Sequence, residues 1–311
     1  MSLLKLVTLA LFVSANTLLL GVPASAQSFK FAAINDPAGF NTEARGINLS
    51  GEIAGFYQTD TTCRETVLDT RYMPNCTKHG FTYINGTYKT VDVPGAISTV
   101  VNGLNDYGDL VGTYTTNDGG IYGFLWLHTG TIKQINAPQQ GYLAIPMSVN
   151  KALIVVGQWG GGSFRWSNGT FTDLKVASDS GCPNCNGATG ISNGGTIVGY
   201  SVKGDSWRGF LKRGTDFDFF PKFENGDSFT DAVNDNADMV GYGAGATIAY
   251  LAKNVESNEG TSDVEKSPAY IKFAYPNSSM TIPFGINDKR SIVGGFWDSQ
   301  GQIEGFMAIY Q

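Results

Sequence analysis

Six stretches of this chain are near-copies of one another: GINLSGEIAGFY from Gly46, GLNDYGDLVGTY from Gly103, SVNKALIVVGQW from Ser148, GISNGGTIVGYS from Gly190, AVNDNADMVGYG from Ala232 and GINDKRSIVGGF from Gly285. In each copy the second residue is apolar, and a glycine stands eight positions after it: Gly55, Gly112, Gly157, Gly199, Gly241 and Gly294. A constant offset over starts separated by 57, 45, 42, 42 and 53 residues marks stacked supersecondary units. The chain has to fold as a repeat array.

After the glycine each unit continues through a variable loop into an apolar-aromatic segment: GFTYI at 80, GFLWL at 123, SFRW at 163, GFLK at 209, IAYL at 248 and GFMAI at 305. A tight turn then leads to a last segment such as YKTVDVP, TIKQINAP or FTDLKV. With 40 glycines, 19 phenylalanines and 14 tyrosines and no long window of helical spacing, the reading is all-β. Four antiparallel strands in about 42 residues match one propeller blade. The sixth unit stops at Tyr310 and Gln311 after its third strand, while FAAINDP at 31 to 37 resembles the fourth-strand segment IKQINAP at 132 to 138. The expected fold is therefore a six-bladed β-propeller of four-stranded blades, its ring closed by the N-terminal strand pairing into the last blade, which covers edges prone to aggregation. One domain spans 27–311.

Residues 1–26 read as an export leader: Lys5, the apolar run LVTLALFVSANTLLLGV, then Ala24-Ser25-Ala26, a small-residue site with cleavage expected after Ala26. No later stretch reaches the ~20 apolar residues that span a bilayer. Losing Lys5 with the leader leaves 20 basic against 27 acidic side chains, a formal charge of about −7. That balance argues against nucleic acid as a partner. The expected location is outside the cytoplasm, in the periplasm or the extracellular space.

Asn and Asp in the IND segments suit the turn joining strand one to strand two, because they tolerate left-handed backbone angles and bond their own backbone. The alternating oxygens of NDNAD at 234 to 238 lack the glycine and distal glutamate of a calcium loop. No metal and no cofactor is expected.

These residues resemble the bacterial extracellular proteins with HAF repeats, whose units combine apolar-Asn-Asp-x-Gly-x-apolar-Val-Gly with a His-Ala-Phe or His-Gly-Phe strand. GLNDYGDLVGTY with YGFLW matches closely, and the resemblance covers essentially all of the chain after the leader. Only HGF at 79 to 81 keeps the histidine; YGF, RGF and EGF depart from it, which speaks against a shared catalytic histidine. Membership implies an exported repeat protein and no defined reaction.

In a four-stranded meander the turns after strands one and three share one face of the ring, and those after strands two and four share the other. The second face receives the variable loops at 58 to 78, 137 to 146 and 177 to 188, and such loops on a rigid scaffold are where recognition sits. The aromatic residues Tyr57, Tyr114, Trp159 and Trp297 at the ends of second strands, with Tyr142 in a loop, are the candidate ligand platforms there; packing between blades is the competing role. Both cysteine pairs fall on this face. Close spacing in an exported chain favours Cys63–Cys76 and Cys182–Cys185, among three connectivities, with a redox role for CPNC or a four-cysteine zinc site as alternatives. His79 and His128 lie in or beside third-strand segments, and no nucleophile elbow, metalloprotease helix or phosphate loop is present. The function expected is a noncatalytic binding module for an extracellular glycan or protein. The alternative is a glycan-active hydrolase or lyase using paired carboxylates among Asp60, Glu65, Asp69, Asp118, Asp179, Asp205 and Asp298.

Overall fold

The computed structural model describes residues 29–61, 76–178, 182, 185–220, 223, 226–243, 248–255 and 269–311. All its regular structure is β, in six four-stranded antiparallel sheets. Blade 1 comprises β2 (Phe40–Ile47), β3 (Ile53–Gln58), β4 (Lys78–Ile84) and β5 (Thr87–Val91). Blade 2 comprises β6 (Ser98–Leu104), β7 (Leu110–Thr115), β8 (Ile121–Trp126) and β9 (Ile132–Ile135). Blade 3 comprises β10 (Ala144–Val149), β11 (Val155–Trp159), β12 (Gly162–Ser167) and β13 (Thr170–Asp173). Blade 4 comprises β14 (Asn186–Ile191), β15 (Ile197–Lys203), β16 (Ser206–Arg213) and β17 (Asp216–Phe219). Blade 5 comprises β18 (Ser228–Val233), β19 (Met239–Gly243), β20 (Ala249–Ala252) and β21 (Tyr270–Phe273). Blade 6 comprises β22 (Met280–Ile286), β23 (Ser291–Trp297), β24 (Ile303–Tyr310) and, from the start of the domain, β1 (Phe29–Ile34).

The ring is a six-bladed β-propeller closed as the termini suggested. β1 pairs antiparallel with β24 from Phe29 opposite Tyr310 to Ile34 opposite Gly305, and Phe29 packs its ring 4.6 Å from Phe273 of blade 5. Strand one of each blade lies innermost and touches its counterparts on either side. Among the described residues no helix is long and apolar enough to cross a membrane.

The repeated glycine has a packing cause. Gly55, Gly112, Gly157, Gly199, Gly241 and Gly294 sit in register opposite Phe81, Phe124, Phe164, Phe210, Tyr250 and Phe306 of strand three. A Cβ on Gly112 would overlap the Val100 carbonyl and crowd the Phe124 ring. The five phenylalanines are wholly buried and Tyr250 is 2% exposed. Each such burial contributes roughly 1.5–3 kcal/mol, so the glycine and the strand-three aromatic form one device that builds each blade's centre.

Strand one carries a second regular feature. The pairing with strand two slips between Ala44 and Gly46, Val101 and Gly103, Pro146 and Ser148, Ala188 and Gly190, Thr230 and Ala232, and Pro283 and Gly285. A bulge leaves its extra residue out of the ladder and re-aims its side chain. The six bulged residues, Arg45, Asn102, Met147, Thr189, Asp231 and Phe284, differ in all six blades, and five of them line the cavity on the ring axis.

Candidate functional site

On the short-turn face the asparagine of each IND segment has two duties. Its side-chain oxygen accepts the amides that close its own turn: Asn105 Oδ1 takes Tyr107 N and Asp109 N, both at 3.0 Å, and Asn234 Oδ1 takes Asn236 N and Asp238 N. Its side-chain nitrogen donates to the next blade. Asn48 Nδ2 reaches Asn105 O at 3.3 Å, Asn105 reaches Asn150 O at 3.1 Å, and Asn150 reaches Ser192 O at 3.2 Å. Asn234 then reaches Asn287 O at 2.9 Å, and Asn287 closes the circle on Asn48 O at 3.0 Å. Ser192 occupies the sixth place, and a serine is too short to extend the belt to Asn234.

In four of the six blades the next residue repeats the pattern one layer out. Asp106 accepts Leu49 N at 2.8 Å, Asn193 accepts Lys151 N at 3.0 Å, Asp235 accepts Asn193 N at 2.6 Å and Asp288 accepts Asp235 N at 2.9 Å. The local turn chemistry expected of these residues is present, and the contact between blades is added to it.

These turns frame an axial cavity of about 90 Å³, lined by the strand-one ends of all six blades. Its mouth carries Asp106, Asp235 and Asp288 with Asn193, and Lys151 bridges to Asp106 at 2.9 Å. Burial pushes Asp106 up, but hydrogen bonds from Leu49 N, Lys151 and Asn193 hold its carboxyl below the usual range. Asp288 is raised, by burial first and then by the nearby charges of Asp235 and Asp106. At the inner level Asn102 is 4% exposed. Its Nδ2 donates to Pro146 O at 2.9 Å, and its Oδ1 has no partner in the protein. Arg45 lies at the same level, buried, with Nη2 2.5 Å from Glu43 Oε2 and its guanidinium 4.0 Å from the Phe284 ring. Among the described residues no three His, Cys, Asp or Glu converge on one point in a way that would hold a metal ion.

On the variable face the five aromatic candidates do not form one surface. Tyr57 is 4% exposed, bonds Thr90 Oγ1 at 3.1 Å, stacks on His79 and packs against Ile34 and Val293 of blade 6. Tyr114 is half-buried beside Tyr122 and packs on blade 1. Trp159 is half-buried against Val111 and Leu125 of blade 2, with Tyr142 meeting it edge-on at 5.9 Å and itself 45% exposed. Trp297 is 4% exposed between Ile282 and Ile303. Of these, only Tyr142 and Trp159 are brought together.

A different set of rings does converge. Tyr200, Trp207, Phe229 and Tyr242 are half-buried neighbours across blades 4 and 5. Trp207 and Phe229 stack at 6.0 Å, Tyr200 meets Phe229 at 5.5 Å, and Phe229 and Tyr242 stack at 4.9 Å with 14° between planes. Gly187, opposite Tyr200 on strand one, leaves room for this: a Cβ there would stand 2.8 Å from the Tyr200 ring. Tyr242 continues the arc to Met280 and Phe284 of blade 6. The difference is one of parity, since successive residues on a strand face opposite sides of the sheet. The second residue after the repeat glycine (Tyr57, Tyr114, Trp159) turns back on the preceding blade, while the first (Tyr200, Tyr242) turns to the following one. That position relative to the glycine is the signal by which sequence alone locates the arc.

Cys182 and Cys185 form a disulfide with Cα atoms 5.4 Å apart. Cys76 is disulfide-bonded as well; its expected partner Cys63 lies outside the described residues, as do Glu65, Asp69 and Asp179. His79 Nδ1 pairs with Asp92 Oδ2 at 2.8 Å. Asp109 Oδ1 takes both the amide and Nδ1 of His128 at 2.8 and 2.7 Å, tying the turn after strand three to the asparagine belt.

No protein-family model matches this chain, and no curated protein matches it. Among solved structures the ring is similar to a streptogramin B lyase, at 12% identity over 91% of this chain and 98% of that one with a TM-score of 0.49. It is similar also to a catalytically inactive virginiamycin B lyase from Staphylococcus aureus, solved with quinupristin, at 13% identity over 89% and 99% of the two chains with a TM-score of 0.47. At these values nothing about the activity of those enzymes carries over to the present chain.

Proposed function

We propose that this chain is an exported, noncatalytic binding module of the HAF-repeat kind that takes an extracellular glycan on its variable-loop face. The observation that carries this reading is the arc of Trp207, Tyr200, Phe229 and Tyr242, joined ring to ring and partly exposed at one end of the propeller. Rigid stacked rings offer apolar faces at little entropic cost, which suits the flat faces of sugar rings. The disulfide in the 177 to 188 loop and the expected leader agree with life outside the cytoplasm.

Hydrolysis by paired carboxylates is less well supported. A general acid needs a raised pKa near the working pH, but Asp118 is held below the usual range by hydrogen bonds from Thr116 and the Gly120 amide. The described carboxyls that are raised, Asp218 and Asp288, sit on the outer strand β17 and at the short-turn mouth. Asp298 accepts the amides of Gln300 and Gln302 within its own turn.

A glycan array with the secreted protein, read for retained ligand and for released product by mass spectrometry, tests the proposal. It predicts binding without product, lost when Trp207 or Phe229 becomes alanine and kept in Tyr114→Ala. Product formation would overturn the noncatalytic reading. Silence on every glycan would remove the glycan and leave a protein surface as the partner.

A further inference from the structure

The variable face leaves the axial cavity at the opposite end of the ring without a role, and its lining is specific. The bland account is that the mouth aspartates are there only to cap backbone amides, which Asp106, Asp235 and Asp288 all do. That account does not reach Asn102. Its amide orientation is set by the Nδ2 bond to Pro146 O, so Oδ1 is an acceptor buried along the cavity wall with no partner in the protein. A buried acceptor without a donor is unfavourable, and the favourable occupant is one that brings a donor.

The mouth adds a charge preference. Three carboxylates stand at the mouth with a single lysine, which bridges to Asp106, and the carboxyl of Asp288, raised first by burial, is raised further by the charges of Asp235 and Asp106. The inner level is close to neutral, because Arg45 is paired with Glu43. The carboxylates do not converge as ligands of one metal ion, which favours a cation that binds them through N–H donors pointing in different directions.

We propose that the axial cavity binds a small hydroxylated ammonium compound, an amino alcohol or amino sugar, with its ammonium between Asp235 and Asp288 and a hydroxyl donated to Asn102 Oδ1. Lys151, paired with the neighbouring Asp106, adds a positive charge at the mouth that opposes an incoming ammonium. Removing it therefore strengthens binding, an outcome that a purely structural role for this lysine does not produce.

The test is calorimetric titration of the secreted protein with ethanolamine and with glucosamine, against ethylene glycol and glucose as uncharged counterparts and calcium as a metal control. The expected result is saturable binding of at least one amine and of neither uncharged compound. Asp288→Asn, which keeps an acceptor for the Asp235 amide, weakens binding at least about tenfold, and Asn102→Ala does the same. Lys151→Ala tightens it several-fold, and Lys133→Ala on the outer strand β9 leaves it unchanged. Circular dichroism confirms that each variant is folded. Equal binding of amines and uncharged compounds, calcium in place of amines, an affinity indifferent to Lys151→Ala, or no heat with either amine up to 10 mM (about two powers of ten above a useful Kd) would each overturn the proposal.

Discussion

At the short-turn end of the axis, five blades place an asparagine in the same position with the same two duties, and the sixth places Ser192. At the variable end, equivalent positions differ in both identity and burial: the second residue after the repeat glycine is the buried Tyr57 in blade 1, the half-buried Trp159 in blade 3 and the wholly buried Ser201 in blade 4, and Tyr142 in the loop beside Trp159 is 45% exposed. One end spends its side chains on neighbouring blades, and the other leaves them available for packing or recognition as each blade's loops dictate. Repetition at one end is what permits variation at the other, because contacts between blades no longer depend on the variable loops.

The comparison predicts unequal costs for substitutions at the two ends. Asn105 makes four hydrogen bonds, two accepted within its turn and two donated, to Asp109 and to blade 3. Asn105→Ala strips all four from a buried site, and the expected loss is about 2–4 kcal/mol in urea unfolding. A loss below about 0.5 kcal/mol, the level of an ordinary surface change, would dissolve the distinction between the two ends. Ser192→Asn supplies the missing donor toward Asn234 while retaining an acceptor for the Thr196 amide that Ser192 Oγ serves at 3.2 Å. Its expected gain is about 1 kcal/mol.

A smaller gain comes from the fourth place of the same turn, which is left-handed in every blade. Gly51, Gly108 and Gly195 have φ of 86°, 82° and 86°, while Leu153, Ala237 and Arg290 hold 55°, 57° and 59°. Ala237→Gly removes the Cβ penalty at such an angle, for a gain of roughly 0.5–1 kcal/mol. Arg290→Gly would lose the ion pair of Nε with Asp238 at 2.8 Å and is not equivalent. Tyr142→Ala, on the variable face, changes stability by less than about 0.5 kcal/mol. If it cost as much as Asn105→Ala, the variable end would be structural after all.

The ring was legible because its determinants recur within each unit. The Gly112 and Phe124 pairing repeats in every copy with only tyrosine at 250 departing, and the missing fourth strand at Tyr310 was matched by Phe31 to Pro37. The asparagine belt was hidden because each bond spans 42 to 57 residues, or 239 at the closure, and a turn explains the same residue locally. The clue was retention of asparagine itself at 48, 105, 150, 234 and 287, where aspartate, serine or glycine also suit a turn. The aromatic arc was missed through the parity of strand two: Tyr200 and Tyr242 are one residue nearer the repeat glycine than Tyr57 and Trp159. Asn102 gave no local signal, since its meaning comes from the bulge that turns it toward the axis.

The most direct test of the belt is Asn287→Asp, measured by urea unfolding at pH 7. Aspartate keeps the acceptor for the Lys289 and Ser291 amides but exchanges the donor facing Asn48 O for a second acceptor. The belt account predicts a loss of about 2 kcal/mol or more from that one exchange at the closure of the ring. Stability within about 0.5 kcal/mol of the native protein would show that the asparagine serves its turn alone, and would contradict the claim that it joins the blades.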